Sequence, residues 1–396
     1  GAFAVDLGNR LSLHIIDGAT AIKIFLILIV AFALRIMRGS ISQIYRGRGH
    51  FAAGIIINSL STGFLVTAVV MAAWLGASPL GIALAYLAAD SILGLAIMFY
   101  DIKRRFPHLR FRPQMPASAE LMDIAGHGKW YALLQAAPVA WLQVPVLIIS
   151  GLGLGGLAVV SFVVSRTLVN FARQIPEMLA RSVGVETAGD FHLGDSEKLS
   201  RIFLVFGPFL SALTGAFAGG LFIFAAPLTA VWTARPEAYD AWVVFWLLAP
   251  VILVAPVTPL RNLLTLGNLP RPVALAQLVQ LVIGLALCFI LAASHGIAGA
   301  LAGLATGEII AVGILLPVMA GQHIAIAYWR YLARCTVWFA ATTLWTAFIA
   351  WLIVSYTGAS TAGWLALSAS LWLVFGLAPA MIAATPADLR KRALTY

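Results

Sequence analysis

The chain has 396 residues, of which 62% are hydrophobic and only 10% charged, with a net charge of +10 and two cysteines. Such a composition excludes a soluble α/β core, which needs alternating amphipathic segments, and it places the chain among polytopic membrane proteins. The positive balance does not imply nucleic acid, because the basic residues gather in short loops between apolar runs, where they write membrane topology.

In chain order the apolar runs span about 21–44, 51–75, 79–100, 126–150, 156–181, 201–226, 240–266, 272–294, 297–320, 330–356 and 361–384. The expected fold is therefore all-α, with about 11 transmembrane helices. Basic residues follow every second run: Arg46 and Arg48 after the first, then Lys103, Arg104, Arg105, Arg110 and Arg112 after the third. Lys198, Arg271, Arg330 and Arg334, and finally Arg390, Lys391 and Arg392, continue the series, whereas the opposite loops carry little beyond Arg10 and Arg235. The positive-inside rule makes the basic loops and the C-terminus cytoplasmic and leaves residue 1 outside. Cys288 and Cys335 fall inside apolar runs with no spaced framework, and read as packing residues.

The ninth run contains Gly299, Gly303 and Gly307 at four-residue spacing, followed at once by Glu308. Small residues in this pattern let helix backbones approach closely in lipid. The third run echoes it with Gly81, Ala85, Ala89 and Asp90, and Gly47 likewise anticipates Gly267. The echo equates runs one to three with runs seven to nine, so the expected architecture is two parallel-repeat six-helix lobes, the first incomplete, plus two extra C-terminal helices. Three further helices are expected upstream of Gly1, and they would also return the N-terminus to the cytoplasm. The longest basic connection, residues 101–119 with Pro107, Pro113 and Pro116, is the expected inter-lobe linker. The domain reading is 1–107 for the incomplete N-lobe, 108–119 for the linker, 120–322 for the C-lobe and 323–396 for the two added helices and tail.

Charges inside apolar runs are costly and face a cavity or a partner. Arg166, Asn170, Arg173, Glu177 and Arg181 share one face of the fifth run, within about 60°. Arg35, Arg38, Ser42 and Arg46 share a face of the first. Arg46 and Arg181 sit at run ends and read as headgroup anchors, as do His127 and Lys129 before the fourth run. Two roles stay open for Arg166 and Arg173: a buried salt bridge, Glu177 being the near acid, or a phosphate site that uses the guanidinium fork. Asp90 and Glu308 either pair with such arginines, the preferred reading, or exchange H⁺ or Na⁺. No nucleophile elbow, phosphate-binding glycine loop or metal-ligand spacing supports an enzyme, and no cofactor beyond H⁺ or Na⁺ coupling is expected.

The segment Glu120 to Gly156, its glycine-rich turn, the following helix with a basic residue about ten positions in, the paired small-residue helices with their acids, and the turn Leu266-Gly267-Asn268 together resemble a family. These features are similar to the polysaccharide flippases of the multidrug/oligosaccharidyl-lipid/polysaccharide exporter superfamily, which includes O-antigen exporters. The chain departs where relatives often carry an acid late in the first helix of this lobe, having Gln143, Val144 and Pro145 instead. The resemblance implies lobes around a cavity that opens alternately to either side of the inner membrane, and a polyprenyl-diphosphate-linked oligosaccharide as cargo. On that resemblance Arg166 and Arg173 would hold the diphosphate; from the residue pattern Asn170, Arg35 and Arg38 are further substrate-binding candidates, and Asp90, Glu308 and Glu177 are candidates for coupling or ion pairing. Membrane lipids and polysaccharide polymerase or assembly proteins are the implied partners. A drug or cation antiporter of the same superfamily and a non-transporting scaffold of polysaccharide assembly are the rival readings.

Overall fold

A computed structural model describes residues 17–48, 50–109, 117–321, 326–358 and 361–385. Arg10, Arg110, Arg112, Pro113, Pro116, Arg390, Lys391 and Arg392, and the side chains of Arg46 and His127, lie outside the described residues. Among the described residues every regular element is helical, and ten helical runs are long and apolar enough to cross a membrane. The chain is an all-α polytopic membrane protein.

The helices are α1 (Gly18–Gly47), α2 (Phe51–Trp74), α3 (Pro79–Arg105), α4 (Ser118–Gly151), α5 (Gly156–His192), α6 (Ser196–Thr233) and α7 (Ala241–Leu266). The next run, Pro270–Ala320, has 51 residues. A straight helix of that length measures about 76 Å, more than twice a hydrocarbon core. It is not straight. Gly296 adopts φ 60°, ψ −146°, a conformation that excludes side chains, and divides the run into α8 (270–295) and α9 (297–320). α10 (Tyr328–Thr357) and α11 (Ala362–Ala384) come next, so among the described residues eleven segments follow the eleven apolar runs.

Local chemistry sets the starts. Ser78 accepts a hydrogen bond from the Gly81 N–H with Pro79 in the first turn of α3, and Asp240 accepts from the Trp242 and Val243 N–H groups at the head of α7. The turn before α5 passes through Gly153 and Gly155, both at positive φ. α5 continues to His192, about 55 Å in all, well past the last residue that hydropathy places in the apolar run. The ends differ because hydropathy locates the membrane, whereas backbone hydrogen bonding runs on into water.

The chain forms two compact units, Gly1–Met115 and Pro116–Tyr396. In the first, Tyr45, Met98, Ile102 and Phe106 form a buried cluster at one end of α1 and α3, and the Tyr45 hydroxyl donates to Asp101 at 2.8 Å. Phe25, Phe32, Leu60 and Trp74 are exposed on α1 and α2, as lipid-facing side chains are.

In the second unit α8 and α9 form a tight antiparallel hairpin. A Cβ added to Gly303 would lie 2.5 Å from the Cys288 nitrogen and the Leu287 carbonyl carbon, and one on Gly307 would lie 2.6 Å from the Gly284 nitrogen. A Cβ on Gly299 would meet the Leu291 carbonyl. The small-residue face of α9 thus seats directly on the α8 backbone. At Gly81 on α3 the echo is looser: a Cβ there would meet only the side chains of Ala77 and Ser78, just before the helix begins. Ala85 and Ala89 already carry the Cβ atoms that hold backbones apart. The turns do correspond, with Gly76 at φ 72° and Gly296 at φ 60°. So do the π-helical stretches Leu87–Leu93, which contains Asp90, and Ile309–Leu315, which follows Glu308.

α10 packs along α6 through a threonine ladder. Thr342, Thr343 and Thr346 donate their hydroxyls to the carbonyls of Ala212, Gly215 and Ala216 at 2.8, 3.0 and 2.9 Å. Hydrogen bonding and small residues replace the hydrophobic effect as the adhesive between helices in lipid.

Candidate functional site

The polar face of α5 is held in the second unit by three neighbouring helices. Arg173 carries a nearly bidentate pair: Nη1 donates to Glu308 Oε1 at 2.7 Å and Nη2 to Glu308 Oε2 at 3.4 Å, while Nη2 also donates to the Leu247 carbonyl at 2.8 Å. The pair is sheltered, the side chains being 27% and 11% exposed. One turn along, Glu177 accepts from Arg261 Nη2 at 2.5 Å and from Asn262 Nδ2 at 3.3 Å, both on α7. The near acid on the same helix is thus not Arg173's partner. Arg173 reaches α9 and α7 and Glu177 reaches α7, while Glu308 and Asp90 each stand against an arginine, one in each unit.

Arg166 is placed differently. Its Nη1 donates to the Leu142 carbonyl of α4, and its guanidinium carbon lies 4.9 Å from the centroid of the Phe162 ring. Among the described residues no carboxylate comes within ion-pair distance of it. A cation inside an apolar helix tolerates this only where polar surroundings or a mobile anion complete its solvation.

These groups border one cavity of about 210 Å³, with room for several waters or a small polar group. Arg166, Asn170, Arg173 and Glu308 line it, as do Arg261, Gln277, Gln280, Trp141 and Trp246. Asn170 is exposed, whereas Arg166 and Arg173 are half-buried. Three guanidiniums face two carboxylates, Glu308 in the wall and Glu177 just behind Arg261, so the site keeps a net positive charge that belongs to Arg166.

Arg35, Arg38 and Asp90 belong to the first unit. Arg38 is buried and donates from Nη1 to both Asp90 Oδ1 and the Asp90 carbonyl, each at 2.7 Å. Its guanidinium passes over Gly94, where a Cβ would come within 2.6 Å of Nη1. Arg35 Nε stands 4.0 Å from Asp90 Oδ2, its Nη1 donates to the Tyr86 hydroxyl at 3.1 Å, and its side chain is 53% exposed. On α1 Arg38 is locked to an acid and Arg35 is freer, as on α5 Arg173 is locked to an acid and Arg166 is freer.

Sequence reasoning missed Arg261, Gln277, Gln280 and the two tryptophans. Arg261 was open to the same rule that found Arg166, since it lies inside an apolar run. Gln277 and Gln280 are three residues apart on α8 and share its face. Nothing in the pattern distinguishes Trp141 and Trp246 from ordinary packing aromatics.

No family model, curated protein or solved structure matches the chain.

Proposed function

We propose that the chain is a transporter that moves a polyprenyl-diphosphate-linked oligosaccharide from the inner to the outer leaflet of the cytoplasmic membrane by alternating access, for surface polysaccharide export. The observation that carries the reading is Arg166: a guanidinium at a cavity wall whose partners are a carbonyl and an aromatic face rather than a carboxylate. A phosphate offers what that guanidinium lacks, and the planar fork matches its oxygens. Arg173 and Arg261 add positive field while their own acids hold them in position. The lipid tail would stay in the bilayer.

A cation-coupled drug antiporter of the same superfamily calls for an acid free to meet a cation, yet both acids here are held by arginines. A scaffold of polysaccharide assembly gains nothing from a charged cavity. In this reading the C-terminus is cytoplasmic, and polymerase or assembly proteins receive the cargo outside.

The test reconstitutes the product of the complete reading frame in proteoliposomes with a fluorescent polyprenyl-diphosphate oligosaccharide and follows its quenching from outside. Arg166→Ala should slow flipping by tenfold or more, the scale of one lost charge-assisted hydrogen bond, with Arg166→Lys retaining part of the rate. Unchanged flipping in Arg166→Ala would overturn the reading.

A further inference from the structure

Where the apolar part of α4 begins, the helix meets the turn between α7 and α8. Gly128 opens the membrane-spanning part of α4 and Pro270 opens that of α8, so Lys129, Trp130 and Arg271 all stand at the start of an apolar run. The Tyr131 hydroxyl donates to Asn268 Oδ1 at 2.6 Å, and Asn268 turns the chain there at φ 59°. This join brings two cations onto one ring: Lys129 Nζ lies 5.3 Å and the Arg271 guanidinium carbon 5.7 Å from the Trp130 ring centroid. The two charges are therefore no further apart than those distances laid end to end.

Both cations are exposed, and Trp130 is half-buried between them and the protein. Among the described residues no carboxylate comes within ion-pair distance of either, whereas Arg105, Lys198 and Arg201 each hold an acid. An aromatic face orients a cation without neutralising it. Two like charges gathered from different helices therefore leave an unmatched positive field that an anion completes.

Depth decides which anion. A charge at the end of an apolar run stands at headgroup level, the boundary that tryptophan also favours. A soluble phosphate there would leave the indole unused. A phospholipid sets its phosphodiester against the cations and its glycerol and upper chains against the ring.

We infer that Lys129, Arg271 and Trp130 form a binding site for one anionic phospholipid of the leaflet that the basic loops face, cytoplasmic by the positive-inside rule. The lipid bridges α4 and the α7–α8 turn, which separate snorkelling anchors would not do. The site is independent of the transport reading above.

In the test, the product of the complete reading frame is titrated in detergent with phosphatidylglycerol or phosphatidylcholine, and native mass spectrometry counts the bound lipids. Wild type should retain one phosphatidylglycerol about tenfold more tightly than phosphatidylcholine. Lys129→Ala and Arg271→Ala should each weaken it about fivefold, and together about 25-fold, the effect of one basic residue at an anionic headgroup taken once and twice. Lys103→Ala with Arg104→Ala removes the same charge from exposed residues that stand on no described aromatic ring, and should change binding less than about twofold. Equal losses in the two double variants would mean diffuse attraction to basic loops and would overturn the site, as would equal retention of both lipids by wild type. Glycerol phosphate, the same headgroup chemistry without chains, should fail to displace the lipid; displacement at matched concentration would make the ligand a soluble anion. Trp130→Leu should also weaken retention, and wild-type binding in that variant would remove the ring from the site.

Discussion

Replacing Gly303 by alanine tests the α8–α9 hairpin through the sign of its effect. The added Cβ would sit 2.5 Å from the Cys288 nitrogen and the Leu287 carbonyl carbon, where non-bonded heavy atoms rest about 3.5–4.0 Å apart. The obstructing atoms are backbone, so no rotamer relieves the contact, and the helices must part by about 1 Å. A gap of that size forfeits roughly a quarter to a half of the dispersion energy across the seam. Overpacking of this kind costs about 1–3 kcal/mol, and the accompanying loss of contact puts Gly303→Ala at the upper end. Alanine returns about 1 kcal/mol in helix propensity, which leaves a net loss of about 2 kcal/mol. At roughly 2–4 °C per kcal/mol the melting temperature should fall by about 4–8 °C. Cys288 is fully buried in this seam, so its reaction with a thiol-reactive fluorophore during heating, in a Cys335→Ala background, reports the seam's opening. Gly63→Ala on α2 is the control: nothing lies within 4 Å of its added Cβ, and the propensity gain should stand alone. If Gly303→Ala melts at or above the wild-type temperature, as Gly63→Ala should, the close-packed seam is refuted.

The Arg173–Glu308 pair should show the asymmetry of a buried ion pair. Arg173→Ala alone leaves a sheltered carboxylate and should lower stability by about 3–5 kcal/mol, while adding Glu308→Gln should recover much of the loss; additive losses in the double-mutant cycle would show that the two do not interact. The loop order is tested by single cysteines: one at Gly155 should react with a membrane-impermeant reagent from outside, one at Pro107 only after permeabilisation, and the reverse pattern would invert the topology.

Several features of the chain were legible in its sequence. Among the described residues hydropathy located the eleven segments, including the break between α8 and α9, because lipid demands an unbroken apolar run for each crossing. Four-residue spacing identified the face of α9 that carries Gly299, Gly303 and Gly307, because helical period converts spacing directly into direction. The same rule placed Arg166, Arg173 and Glu177 on one side of α5. Local periodicity also pointed to Gly81, Ala85 and Ala89, of which Gly81 has no neighbouring helix within 4 Å of an added Cβ.

Only the tertiary structure decided which charges meet. Glu177 lies one turn from Arg173 and looked like its partner, yet it reaches Arg261, while Arg173 takes an acid 135 positions away. A periodic pattern fixes a side chain's angle around its own helix but carries no information about which helix stands opposite, and that order comes from packing across the whole bundle. The separation of Arg166 from every carboxylate among the described residues and the unpartnered atoms of Arg173 and Gln277 follow from the same packing. They are properties of the space between α4, α5, α7, α8 and α9, and no single helix contains them.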